Sequence, residues 1–419
     1  MGRAFAAALG SPLSKNARRA IRQQNKKPRG VRGFCFLGKM ICSSRMMRMN
    51  GQWQGRFSNS AGDGDILINI DERDLYYQGV AYLHPDNLAL PRTAAFFRTK
   101  DKSASGQLRT DALFPLDPTT WDVTSWETLK AKFPDVVFSK YADVDISVDA
   151  ETLTLSWTSD LGFTGNCALP KSKAGEPSEL EATQLPWDGF KMYVSGLKGK
   201  RLLFRGQGKP YRLRTSFHRH GRSDITRFRR EDIPALLRHL SARTRHVFDI
   251  SVPDQFGAFL NLVQHHGYPT PLLDWTYSPF VASFFAYRKI TNEMAAKADP
   301  NDRVRVFVFD QEQWRVDWQQ ILLLLFPAPN LSVGEFLAIE NERMIPQQGA
   351  STVTSVDDIE SYIKSKETAT KKYLSAIDLP VRDRKDVVRE LRYMGITAGS
   401  LFPGLDGACE ELKQRNFEV

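Results

Sequence analysis

The run Gln-His-His-Gly-Tyr-Pro-Thr-Pro-Leu-Leu-Asp-Trp-Thr at residues 264–276 constrains this chain more than any other stretch. Two histidines, a glycine, two prolines, an aspartate and a tryptophan fall within it. Upstream, Phe256, Phe259, Leu260 and Val263 recur at i, i+3, i+4 and i+7, the spacing of an amphipathic helix over 253–266. Gly267 stands where a helix end accepts a left-handed residue, and Pro269 forbids continuation. Downstream, Ser278-Pro279 reads as the N-cap and first residue of a second helix. The stretch is therefore expected to be a rigid, partly apolar loop between two helices, the kind of place where sites are built on a fixed scaffold.

The 419 residues suffice for two or three domains with real cores. The net charge of +10 is concentrated in residues 1–50, which hold twelve Lys and Arg and no acid; the rest of the chain is near −2. Residues 1–48 are expected to be a disordered basic tail or an over-long gene start, with Met46, Met47 and Met49 as alternative first residues. A transit peptide or a nucleic-acid-binding arm shares that composition. Cys35, Cys42, Cys167 and Cys409 form no CxxC pair, which suits a reducing, cytoplasmic setting. No run of about 18 apolar residues is present, so no membrane span is expected.

From Gly51 the texture is that of strands. Residues 52–57, 66–70, 76–83, 94–97, 144–148 and 152–157 are short β-branched and aromatic runs separated by turn residues. Residues 49–169 are expected to form a β-rich domain, a small barrel or sandwich. Its opening Gly51-Gln52-Trp53-Gln54-Gly55 resembles that of small ligand-binding barrels. Residues 170–186 lack periodicity and read as a linker. Residues 187–419 mix helical periods (190–197, 280–290, 383–394) with a short strand at 201–205 and a buried one at 304–309, an α+β domain.

Five ordered motifs of this second domain carry a resemblance. They are Phe204-Arg205-Gly206, the 264–276 run, Ser278-Pro279 with Ala282-Ser283-Phe284-Phe285-Ala286, Asn341-Glu342-Arg343 with Gln347-Gln348-Gly349, and Leu401-Phe402-Pro403-Gly404. Together they resemble the FRG domain over about 187–415, with Pro271 where that family usually has Arg. The resemblance implies a bacterial or phage-related setting and a toxin or defence role. A second similarity is to the ADP-ribosyltransferase fold, which implies an NAD-handling pocket without a metal. Arg205 would clamp a phosphate, since its planar fork suits paired oxygens. Gly206, Gln207, Thr276, Ser278, Arg343 and Gln348 complete the implied ligand-binding set. His265, His266, Asp274 and Glu342 are the implied catalytic candidates. Gln347-Gln348 stands where that fold carries its carboxylate and cannot act as a base.

Structural roles compete with these. Asp274 can cap a turn, Trp275 can be core, His266 can sit at a helix end, and Arg205 can be the ion-pair partner of Asp274. A non-catalytic interaction or nucleic-acid-binding module is the alternative, with Arg212–Arg230 meeting phosphates and a protein or nucleic acid as partner.

Overall fold

A computed structural model describes residues 48–322 and 328–417; the expectations for the basic tail before residue 48 lie outside them. The first sheet is built from β1 (Gly51–Asn59), β2 (Gly64–Glu72), β3 (Tyr77–Pro85), β4 (Thr93–Arg98), β5 (Ser105–Arg109), β6 (Ala112–Pro115), β7 (Ala142–Val148), β8 (Thr152–Ser159) and β9 (Thr164–Pro170). Its order is β5-β7-β8-β9-β1-β2-β3-β4-β6, antiparallel throughout. The two ends of that order are halves of one bent strand. β5 pairs with β7 and β6 with β4. Between them the Thr110 amide donates to Ala142 at 2.9 Å and the Asp111 amide to Phe96 at 2.7 Å. The sheet thus curls onto itself as a barrel, and closure removes its free edges.

Alternation decides what fills it. Trp53, Phe57, Ile66, Ile68, Ile70, Phe97, Ile146 and Leu155 point inward and form one core cluster. The opposite set on β2–β4, with Leu67, Val80, Tyr82 and Ala94, is also buried, which a solvent-facing barrel wall would not allow. Residues 221–232 cover that face. Asp71, fully buried at the end of β2, accepts from Arg222 Nε at 2.5 Å, Arg227 Nη1 at 2.8 Å, and the amides of Ser223 and Asp224. Tyr82 shares a 2.6 Å hydrogen bond with Thr226.

The second sheet comprises β10 (Ala182–Gln184), β11 (Leu203–Gln207), β12 (Leu272–Thr276), β13 (Arg303–Phe309), β14 (Leu331–Gly334), β15 (Gly349–Thr354) and β16 (Leu374–Pro380), in the order β10-β16-β13-β11-β12-β15-β14. Only β10 runs parallel to its neighbour. β10 lies within the expected linker, so part of that segment is sheet: Thr183 aligns with Ile377 of β16. Helices Trp187–Ser195, Pro279–Tyr287 and Arg384–Tyr393 bury an aromatic and aliphatic cluster against one side. The helix Pro253–His265 packs Phe256, Phe259, Leu260 and Val263 into another cluster with Phe217, Phe228 and Phe336.

The helix ends as its residues dictate. Gly267 takes φ +88°, its amide donates to Gln264, and the Tyr268 amide donates to Val263. These two bonds are the pair that close a helix around a left-handed glycine. The 264–276 run is not loop throughout, however. Its last five residues are β12, because Leu272–Thr276 pair with Val353–Gly349 of β15 residue for residue.

Candidate functional site

The site opens where the second sheet parts. β11 aligns with β13 over five residues and β12 with β15 over five, but β11 and β12 share only the pair Phe204–Thr276. Beyond it the two strands diverge, and Arg205 spans the gap. Its Nη1 donates to the backbone carbonyl of Asp274 at 2.6 Å, while its buried Nε meets no acceptor within the protein. A cavity of ≈ 360 Å³ lies in this crevice, in the size range of small-molecule sites.

Each wall of the cavity has a local cause. Gly206 follows Arg205 because the helix Pro279–Tyr287 crosses β11 there: a Cβ at residue 206 would collide with the carbonyl of Ala282. Ser278 starts that helix, its hydroxyl accepting the Val281 amide at 3.2 Å. Thr276 ties the end of β12 to the turn before β15 by donating to the Gln347 carbonyl at 2.7 Å, and accepts from the Ser278 amide at 3.0 Å. Gln347 in turn donates to the Leu401 carbonyl at 2.9 Å, which brings Phe402 to the cavity wall. On the helix side, Asn261, Gln264 and His265 form a polar stripe at i, i+3 and i+4 facing the same space.

Asp274 is the one carboxylate lining the cavity among the described residues. Its side chain is exposed to the open cavity, with the cleft walls close enough around it to desolvate the carboxylate. Burial raises its pKa above the usual aspartate value, opposed by the charges of Arg205 and Arg219 and by a hydrogen bond from Gln264. The Gln264 amide nitrogen donates to the Asp274 carboxylate, and its oxygen accepts from the Thr270 hydroxyl, so Gln264 is held in one orientation. The same burial pushes the Arg205 guanidinium down to about 10, with Asp274 acting against that shift. Arg205 therefore stays charged at neutral pH. Burial also lowers the pKa of His265, reinforced by the nearby Arg343 and His266 charges.

Of the residues implied by sequence, Arg205, Gly206, His265, Asp274, Thr276 and Arg343 line one cavity. Arg343 stacks 5.1 Å from the Phe402 ring centre, and its buried Nε has no partner within the protein. The others stand outside. Gln207 donates to the Tyr211 carbonyl at 2.7 Å, and Ser278 serves as the helix cap. His266 is the exposed C-cap of its helix, and Glu342 is exposed. Gln348 is exposed at φ +47°, its carbonyl accepting the Tyr277 amide. Asn261, Gln264, Asn341 and Ser351 line the cavity without having been assigned a role, and so does Gln347, set aside as unable to act as a base. The stripe on the helix was the signal for the first two: polar residues at helical spacing inside an otherwise apolar helix.

The anticipated Arg205–Asp274 ion pair takes another form, because the guanidinium binds the backbone oxygen and Gln264 occupies the carboxylate. The basic stretch is also largely engaged. Arg212 pairs with Asp358 at 3.1 Å, Arg214 with Asp357, and Arg222 and Arg227 with Asp71.

Residues 200–295 match the FRG domain family, so an FRG domain is present in this chain and supplies β11, the Pro253–His265 helix, β12 and the Pro279–Tyr287 helix. Residues 341–349 and 401–402, which complete the cavity, lie outside that match. No curated protein and no solved structure matches the chain.

Proposed function

We propose that the crevice between β11 and β12 is a nucleotide pocket that takes NAD and supports ADP-ribosyl transfer. The observation that carries this reading is the convergence of Arg205, Asp274 and Thr276 on one cavity whose two arginines each hold a free Nε donor. A buried guanidinium with a donor to spare suits a phosphate, which takes paired N–H contacts. Arg205 and Arg343 would hold the diphosphate, and the Thr276 end of β12 would line the nicotinamide side. Bound there, NAD would supply an ADP-ribosyl group with nicotinamide as the leaving group.

The chain's own residues have separable tasks. Asp274 offers a carboxylate to a ribose hydroxyl or to positive charge developing beside it; Gln264 is a positioning residue that fixes that carboxylate. Perturbed carboxylates in clefts mark functional sites often enough to weigh here. His265, neutral at pH 7 through its lowered pKa, lines the cavity as a proton acceptor. The acceptor of the ADP-ribosyl group would be a protein or nucleic acid. The alternative of a phosphate-binding interaction module leans on Arg212–Arg230, and the ion pairs of Arg212, Arg214, Arg222 and Arg227 leave fewer of these to meet a nucleic acid.

The test combines thermal melting with millimolar NAD and an assay for released nicotinamide, on wild type, Arg205→Lys and Asp274→Asn. The expected result is a rise in melting temperature for wild type that Arg205→Lys loses, with nicotinamide release abolished by Asp274→Asn. No shift and no nicotinamide from wild type would refute the pocket. A shift instead with single-stranded RNA, falling steeply with salt, would favour the interaction module.

A further inference from the structure

The barrel holds a second cavity, of ≈ 190 Å³, in its own lumen. Its origin is a pair of small residues. Ala81 of β3 and Ala95 of β4 are cross-strand partners, and both point inward among Phe57, Ile66, Phe97 and Leu155. Two methyl groups at the place of two large side chains leave the interior unfilled. An eight-position barrel is just wide enough either to fill with side chains or to hold one small ligand.

The chemistry of the wall narrows the occupant. No charged residue lines the lumen among the described residues. Several of its few polar groups serve local structure: Thr110 Oγ1 accepts the Ala142 amide at 3.0 Å, Ser159 Oγ the amides of Leu161 and Phe163, and Asn59 Oδ1 the Ala61 amide. With no charged group in the wall to pair with, a guest must be uncharged. The volume is close to that of an engineered apolar cavity of about 150 Å³, which stays dry and admits benzene.

The way in is also visible. In this up-and-down barrel, the β1–β2, β3–β4 and β8–β9 turns and the 116–141 segment emerge at one end. Leu88, Val137, Leu161 and Phe163 stand at that end with 82%, 70%, 43% and 40% of their surface exposed. Phe138 lines the cavity and stacks on Trp126 at 5.1 Å, pinning the 116–141 segment across the mouth.

We propose that the barrel lumen is a binding site for one small uncharged apolar molecule, of the size of a substituted benzene ring, entering between these loops. Toluene is the probe. In the full chain it is expected to raise the melting temperature saturably. Ala95→Leu, which fills the lumen, should weaken binding at least tenfold. Ala168→Leu, on the exposed face of β9, should leave it unchanged. Should Ala95→Leu fail to fold, the toluene-induced change in Trp157 emission, taken as wild type minus Trp157→Phe, reads occupancy without any filling substitution. No melting shift and no Trp157 signal at saturating toluene overturns the proposal. So does equal binding by wild type and a folded Ala95→Leu.

Discussion

Arg205 and Asp274 meet through the backbone: the guanidinium donates to the Asp274 carbonyl oxygen at 2.6 Å, and the Asp274 carboxylate is held by Gln264 instead. A buried ion pair broken on one side costs about 3–5 kcal/mol, whereas loss of one hydrogen bond from a charged group costs about 1.5–3 kcal/mol. Arg205→Ala is therefore expected in the lower range. In a double-mutant cycle with Asp274→Ala, the coupling should be about 0.5 kcal/mol, the low end for residues in contact. Urea unfolding of the four proteins measures it. A coupling several times larger would mean the two charges pair directly.

Gly206 and Gly208 are two residues apart and should differ sharply in their tolerance of alanine. A methyl group at 206 strikes the Ala282 carbonyl of the crossing helix, whereas at 208 the nearest atom, the Ala286 oxygen, is 3.5 Å away. Gly206→Ala should lower stability by about 3 kcal/mol or more, as overpacking against backbone does. Gly208→Ala should be within about 0.5 kcal/mol of wild type. Melting curves of the two variants decide it.

Asp224 should make stability fall as pH rises. Burial, with the Asp71 charge adding to it and the Arg227 amide opposing, pushes its carboxyl up to about 7 from a usual 3.8. Between those values the folded chain keeps a proton that the unfolded chain has lost, so raising pH favours unfolding by at most about 1.4 kcal/mol per pH unit. Asn keeps the cap on the Arg227 amide without the charge. Asp224→Asn should match wild type near pH 4 and exceed it progressively up to pH 7–8. A stability difference flat across that range would contradict the raised value.

Asp71→Ala strands two arginines and two amides that the carboxylate now satisfies. The expected loss is about 3–5 kcal/mol. Asp71→Asn, which keeps the shape, should fall between. Chemical denaturation followed by tryptophan emission tests both.

The parts of the fold legible in sequence are those where period and punctuation agree. The 253–265 helix shows its apolar face, its proline start and its glycine end, and all three take the expected places. Strands β1–β4, β7 and β8 alternate and are bounded by turns. The strand that closes the barrel does not: Ser105–Arg109 is polar and mostly exposed, and gains its order from pairing with β7 rather than from its own pattern. β10 is likewise three residues recruited by β16. Several of the motif residues fall together around one cavity because the motifs are built from glycine, proline and arginine, whose conformational and electrostatic needs are local. They did not separate Thr276, the last residue of β12, from Ser278, the helix cap beyond it, or Arg343 from Glu342 in the turn before β15, because in turns the direction of a side chain follows the local backbone rather than a sequence period. The polar stripe of Asn261 and Gln264 was readable but was masked by the apolar face beside it.

The Asp71 contact also has a genetic consequence. A gene fragment carrying residues 200–295 into another protein would bring Arg222 and Arg227 with their partners Asp232 and Glu231 but without Asp71, the fully buried acid they share. Such a graft keeps half of each arginine's pairing and loses the buried half, so a host carboxylate at the Asp71 position would stabilise it. The Asp71 contact thus ties the barrel to the segment 221–232 in a way that the fragment alone does not reproduce.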